Sequence, residues 1–394
     1  MHYIRFLRPP KVARQAGLHL ELLFTITTDL GDSFLHPEAP VDLHIMAEIY
    51  ESPKQSRLQL TKKGQVVWQS GMRVVKQNVA IPGSLQTALA SGAKVAICIT
   101  TNKGISAHGV QNILSNALEG DRKGQVMPIW ATLSNSNEGA DVSTRRILLD
   151  DEVSGKYLVQ VEEEIGESIA RHIWDAGVLA MCSIAGAYLC PGLKCSQQTL
   201  PRAIKATLSS KSSLNVLELG CGVGILGIGL ATIFPELRKE GLEKCTVMMT
   251  DLAEAEERAR SNMRRIATST SNRGLSLLYE NLDWEDGGKG RFGPEVASRH
   301  WDLVTISDCT YNVDMLPALV ETLGAIESAS AEKKVGDAAG TKVFLATKPR
   351  HASERAFFDL MANEQWSIQD SQTLHLPVLG NEDESIELYL FQRQ

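Results

Sequence analysis

The chain has 394 residues, 43% of them hydrophobic and 22% charged, with a formal net charge of −7 at pH 7. That length predicts two or three domains at ~150 residues each, with cores large enough to fold without disulfide or metal staples. The acidic balance argues against nucleic acid or an anionic membrane as a partner of the whole chain, and no apolar run approaches the ~18 residues of a membrane helix.

Up to residue 148 the pattern is one of short strands. LELLFTITTDL (20–30), VDLHIMAEIY (41–50), QVVWQ (65–69), MRVVKQNVAI (72–81), KVAICIT (94–100), PIWATL (128–133) and RRILL (145–149) favour β-branched and aromatic residues, with Gly, Pro, Asn, Asp and Ser between them. Such a series without a long helical pattern predicts a β-rich amino-terminal domain, an antiparallel sandwich or barrel, over residues 1–148. NSNEGADVS (135–143) reads as its exit linker, and the MHYIRFLRPPKVARQ amino terminus lacks the apolar core of a signal peptide.

Over 149–394 strand-like and helical segments alternate. VEEEIGESIARHIWDAGVLAMCSIAGAYL (161–189) carries Ile165, Ile169, Ile173 and Trp174 at helical spacing. NVLELG (215–220), TVMMTD (246–251), LSLLYENLDW (275–284), WDLVTISD (301–308) and KVFLATK (342–348) read as strands, the first, second, fourth and fifth leading into helices. WSIQDSQTLHL (366–376) and SIELYLFQRQ (385–394) close the chain without a helix between them. This is the pattern of an α/β domain on a mostly parallel sheet with an antiparallel addition at one edge. GGKGRFGPEVASR (287–299) and SASAEKKVGDAAG (328–340) are expected to be mobile surface insertions.

VLELGCGVGILGIGL (216–230) contains a literal G-x-G-x-x-G at Gly222, Gly224 and Gly227. A dinucleotide fold places its ribose-binding acid roughly 20 residues beyond the glycines. Here the acid ending the next strand, Asp251, lies 31 residues after Gly220, and Glu218 stands two residues before that glycine. Both features suit E-x-G-x-G-x-G, a loop whose backbone approaches a methionine and ribose moiety. A packing turn without a ligand, or an NAD site, is the alternative. LDWED puts Asp283 and Trp284 where an adenine would lie, or Trp284 is core. SDCTYN puts Asp308 and Tyr311 at the end of the fourth strand, where Asp308 could align an incoming amine or cap the next helix.

IARHIWDAG (169–177), VLELGCGVGILG (216–227), TDLAEA (250–255), LDWE (282–285) and SDCTYN (307–312) together resemble the seven-β-strand methyltransferases of the lysine methyltransferase family 16 type, also labelled nicotinamide N-methyltransferase-like. The resemblance covers roughly residues 150–394. It implies a Rossmann-like seven-stranded domain that uses S-adenosyl-L-methionine, with cofactor contacts at Trp174, Glu218, Gly220, Cys221, Gly222, Asp251, Trp284 and Ser307. It further implies that Asp308 and Tyr311 belong to a D-x-x-Y motif beside a substrate lysine. Cys309 and Thr310 depart from the aliphatic residues commoner between them. The expected activity is methyl transfer to a lysine amine of a protein, with a small-molecule N- or O-methyltransferase and a catalytically inactive binding protein as alternatives. The β-rich domain is expected to dock the substrate, and the chain to act as a monomer.

The seven cysteines form no C-x-x-C, and no His pair has zinc spacing, so no metal is expected. An odd count of scattered thiols suits a reducing compartment, cytoplasmic or nuclear. Cys221 and Cys309 lie inside the motifs without a neighbouring base, which favours small fillers over nucleophiles.

Overall fold

A computed structural model describes residues 1–394 except 15–16, 52–53, 119–124, 134–140, 151–154, 167–170, 210, 268–272, 334–339, 377 and 380–383. Two compact units emerge, and the division is not a single cut. Met1–Ile147, Gln160–Ile169 and Leu376–Asp383 form the first, and Leu148–Val159, Ala170–His375 and Glu384–Gln394 the second.

The first unit is built on β1 (His2–Phe6), β2 (Lys11–Arg14), β3 (Leu18–Thr27), β4 (Val41–Glu51), β5 (Lys54–Gln59), β6 (Val67–Trp68), β7 (Val75–Ala80), α1 (Gly83–Ala90), β8 (Lys94–Thr101), α2 (Val110–Ser115), β9 (Val126–Met127), β10 (Ile129–Leu133), β11 (Val142–Leu148) and β12 (Leu158–Glu164). One sheet runs β2-β3-β1-β9 with β7 on β3, and the other β12-β11-β10-β8-β4-β5 with β6 on β4. The strands alternate: Leu20, Leu22, Phe24 and Ile26 of β3 face the same core as Leu43, Ile45, Ala47 and Ile49 of β4. Two apolar faces therefore close on each other as a β-sandwich. Among the described residues β3 pairs antiparallel with β1, β2 and β7, and β4 and β10 pair antiparallel with β8, while β1 and β9 run parallel.

The helical reading of 161–189 holds only for its second half, Asp175–Leu189. Residues 158–164 form β12, and the helix starts only at Asp175. The physical reason is Glu163, an acid that is buried, not solvated: it accepts the guanidinium of Arg145, itself fully buried on β11. Of the other residues cited for that helix, Ile165 packs on the sandwich core and Ile169 lies outside the described residues. Most of the anticipated linker, 135–140, also lies outside them.

The second unit contains α3 (Asp175–Leu189), α4 (Thr199–Ser209), β13 (Ser213–Leu219), α5 (Ile225–Lys239), β14 (Lys244–Asp251), α6 (Ala253–Ala267), β15 (Leu275–Asn281), α7 (Trp284–Gly287), α8 (Pro294–Ala297), β16 (Leu303–Ser307), α9 (Leu316–Ala331), β17 (Lys342–Thr347), α10 (Ala356–Asn363), β18 (Trp366–Leu376) and β19 (Glu384–Arg393). Its seven strands run β15-β14-β13-β16-β17-β19-β18. The first five are mutually parallel, and β19 is antiparallel to β17. Central strands β13, β16 and β17 are buried along most of their length, as expected where helices cover both faces. The order reverses between β13 and β14 on one side and β16 on the other, so the carboxyl ends of these strands open a crevice there. Small residues let α3 pack closely: a Cβ at Gly177 would come 2.9 Å from the Ile225 side chain and 3.3 Å from Ser307 Oγ.

Segment 287–299, expected as a mobile insertion, is pinned to β15. The Glu280 carboxylate accepts the Glu295 and Val296 backbone N–H groups at 2.8 and 3.2 Å, and Trp301 Nε1 donates to the Val296 carbonyl at 3.0 Å. Residues 334–339 of the other anticipated insertion lie outside the described residues. Among the described residues no helix is long and apolar enough to cross a membrane.

Candidate active site

The glycine turn after β13 is fixed by chain conformation before any ligand is considered. Gly220, Gly222 and Gly224 have φ of +67°, +53° and +84°, a region costly for residues with a Cβ. At Gly220 space forbids one too: it would lie 2.5 Å from Cys309 Sγ and 3.3 Å from the Trp284 ring. The backbone of this turn is thus bare and flanked by an aromatic ring.

Glu218 is wholly buried in β13, where its Oε2 accepts the Gly227 N–H at 2.9 Å. Its Oε1 has no partner among the described residues. Burial pushes the carboxyl up to about 8; the Gly227 N–H pulls it down, and the charge of Asp251 adds to the rise. Asp251 ends β14, with Oδ2 accepting the Gly222 N–H and Oδ1 the Leu252 N–H, both at 2.7 Å. Burial raises its pKa, and those two N–H groups oppose the rise. Each Asp251 oxygen keeps a lone pair for a further donor.

Asp283 caps α7 by accepting the Glu285 N–H, which leaves the Trp284 ring half-buried against the core below. Ser307 ends β16, and the next residue, Asp308, has φ +57°, a strained conformation for a non-glycine. Its carboxylate does not cap the following helix. It accepts Arg350 Nη1 and Nη2 at 2.7 and 2.8 Å as a two-pronged pair, and the Lys348 N–H at 3.4 Å. Tyr311, three residues on, is 52% exposed.

Both motif cysteines are buried with thiols raised well above the usual range, chiefly by burial. Cys309 Sγ donates to strand-end carbonyls, Ser307 at 3.3 Å among them. That geometry suits a wedge under the glycine turn, not a thiolate.

Five charged residues here were not anticipated: Asp175, Lys348, Arg350, Glu354 and Glu384. Lys348 Nζ sits between the carboxylates of Asp175 at 2.9 Å and Glu384 at 2.6 Å. Arg350 stacks 5.7 Å over the Trp174 ring while it holds Asp308. Glu354 is buried and accepts the Arg350 and His351 N–H groups and the Thr310 hydroxyl. The available signal was KPR (348–350): two bases directly beyond an apolar strand, at the end where ligands of such sheets bind. Among the described residues named here, Asp175, Asp251, Asp308, Glu354 and Glu384 outnumber Lys348 and Arg350, a balance that favours positive charge.

A sheet of this order, with a bare glycine turn after its first strand and an acid at the end of the next, defines an S-adenosylmethionine-dependent methyltransferase. The chain belongs to the lysine methyltransferase family, whose sequence profile matches residues 154–364. It is 27% identical over 358 residues to a UPF0665 family protein of Schizosaccharomyces pombe, covering 90% of this chain and 91% of that one. Similar solved structures include a SAM-dependent methyltransferase of Methanosarcina mazei, at 12% identity and TM-score 0.32 over 46% of this chain and 93% of that chain. Another is an O-methyltransferase family 2 protein of Planctomyces limnophilus, at 12% identity and TM-score 0.30 over 56% of this chain and 66% of the other.

The residues fit that cofactor. The left-handed glycine turn leaves its backbone free of side chains, Asp251 offers two acceptor oxygens for a diol, and the Glu218 Oε1 is a buried polar atom with no partner among the described residues. Trp284 offers a ring face or edge beside Gly220.

Proposed function

We propose that the protein methylates a lysine side-chain amine of a protein substrate. The single observation that carries this reading is Asp308: a buried carboxylate, held in a strained backbone at the end of β16, three residues from an exposed tyrosine. S-adenosylmethionine, when bound, supplies a methyl group activated by a positively charged sulfur. The residues of this chain must then deliver a neutral amine. A lysine in water, with a pKa near 10.4, is almost wholly protonated at neutral pH. Asp308 is assigned to hold and orient the amine nitrogen, and Tyr311 to line the path of the alkyl stem. The Asp308 carboxylate attracts the amine as its ammonium, while exclusion of water around the site favours release of the proton and the aligned geometry that attack requires. Glu218, Gly220, Cys221, Gly222, Asp251, Trp284, Trp174 and Ser307 are assigned to the cofactor.

A protein acceptor is further supported by the first unit, whose own core of buried apolar residues a small-molecule enzyme would not require. We assign it to substrate docking. The test is incubation of the purified protein with methyl-labelled cofactor and cell lysate, followed by mass spectrometry of any labelled band. A discrete protein band carrying methyl-lysine, lost with Asp308→Asn, is expected. Label confined to small molecules would refute the reading.

A further inference from the structure

The carboxylate assigned to the acceptor already holds a cation. Arg350 places both terminal nitrogens on Asp308, at 2.7 and 2.8 Å, and its guanidinium 5.7 Å over Trp174. A buried carboxylate beside an aromatic face is the pair of features that recognises an alkylammonium group. Arg350 uses both, with the same charge. Its backbone is anchored by Glu354, which accepts its N–H at 3.3 Å, but the long side chain between that anchor and Asp308 has rotatable bonds. Lys348, one residue from the same turn, is engaged elsewhere, between Asp175 and Glu384.

We propose that Arg350 is a gate: its guanidinium occupies the place of the acceptor's ammonium on Asp308, and a cationic amine enters by displacing it. This inference rests on the lysine reading and gives it a threshold. Only an acceptor that supplies enough binding elsewhere, as a docked protein does and a free amine does not, offsets the loss of a two-pronged buried pair. The device therefore selects against free amines.

The test is calorimetry with n-butylammonium, a mimic of the lysine end, on the full chain saturated with S-adenosylhomocysteine. n-Butanol serves as the uncharged control. Arg350→Gln is expected to bind n-butylammonium at least tenfold more tightly than wild type, with n-butanol unchanged. The gain should vanish in Arg350→Gln combined with Asp308→Asn. Arg350→Lys keeps the charge but cannot make a two-pronged pair, so an intermediate gain is expected; it is also the decisive variant should the Gln form fail to fold. Unchanged or weaker n-butylammonium binding in the folded variant overturns the gate, as does an equal gain for n-butanol. Failure of the lysine reading looks different: wild type labels no protein in lysate, whatever Arg350 does. If wild type labels a protein and Arg350→Gln shows no gain, the gate alone is refuted.

Discussion

Replacing Glu218 by Gln should change how stability depends on pH, and by a calculable amount. In the folded protein burial pushes this carboxyl from an ordinary 4.5 up to about 8. Below pH 4.5 it is protonated in both folded and unfolded chains. Between about 4.5 and 8 the unfolded chain has lost the proton while the folded one keeps it. Folding takes up a proton in that window, so stability falls as pH rises through it and levels off above 8. Each pH unit is worth about 1.4 kcal/mol, which makes the loss about 2–3 kcal/mol between pH 6 and 8. A Gln side chain cannot ionise, yet its oxygen can still accept the Gly227 N–H. The stability of Glu218→Gln relative to wild type should therefore rise by that amount over the same interval. For a unit of about 150–250 residues this is roughly 5–10 °C in Tm. Scanning calorimetry of both proteins at pH 6, 7 and 8 would measure it. Melting profiles that stay parallel would refute the claim that Glu218 is held neutral by burial.

Asp251→Ala should weaken S-adenosylhomocysteine binding at least tenfold in calorimetry, since charge-assisted hydrogen bonds are worth about 1.5–3 kcal/mol each; unchanged affinity would remove Asp251 from the cofactor site. Gly220→Ala meets both a left-handed φ and Cys309 Sγ, so it should lower Tm and cofactor affinity together. Adding Cys309→Ala should restore part of the Tm loss, the backbone strain remaining. In the first unit, Glu163→Ala leaves the buried Arg145 guanidinium without its carboxylate and should destabilise by about 3–5 kcal/mol in thermal or urea unfolding; a change below 1 kcal/mol would mean that Arg145 is hydrated there.

The alternation of apolar strands with helices, and the acids at their carboxyl ends, were legible because each is a local pattern. Glu218, Gly220 and Asp251 could be located from spacing alone. What was not legible depended on partners distant in the chain. Glu163 looks like a solvated helix residue until Arg145 is found beside it, and the VEEE stretch then becomes a strand. Arg350 and Lys348 read as surface charge after β17, because Asp308 and Asp175 lie 42 and 173 residues away. The glycine-rich 287–299 segment has the composition of a loose loop, and the Glu280 carboxylate and the Val296–Trp301 contact, neither readable from that composition, help hold it down.

The order β17-β19-β18 has a consequence for the making of the molecule. Strand β18 is synthesised before β19, yet β19 stands between it and β17. During translation neither β17 nor β18 can complete its hydrogen bonding until β19 has left the ribosome. Both present open edges in that interval, and β17 has a wholly apolar interior run, VFLA. Such edges invite pairing with other chains. The nascent protein should therefore be most vulnerable to aggregation, and most in need of a chaperone, while ribosomes are still decoding the β18–β19 hairpin.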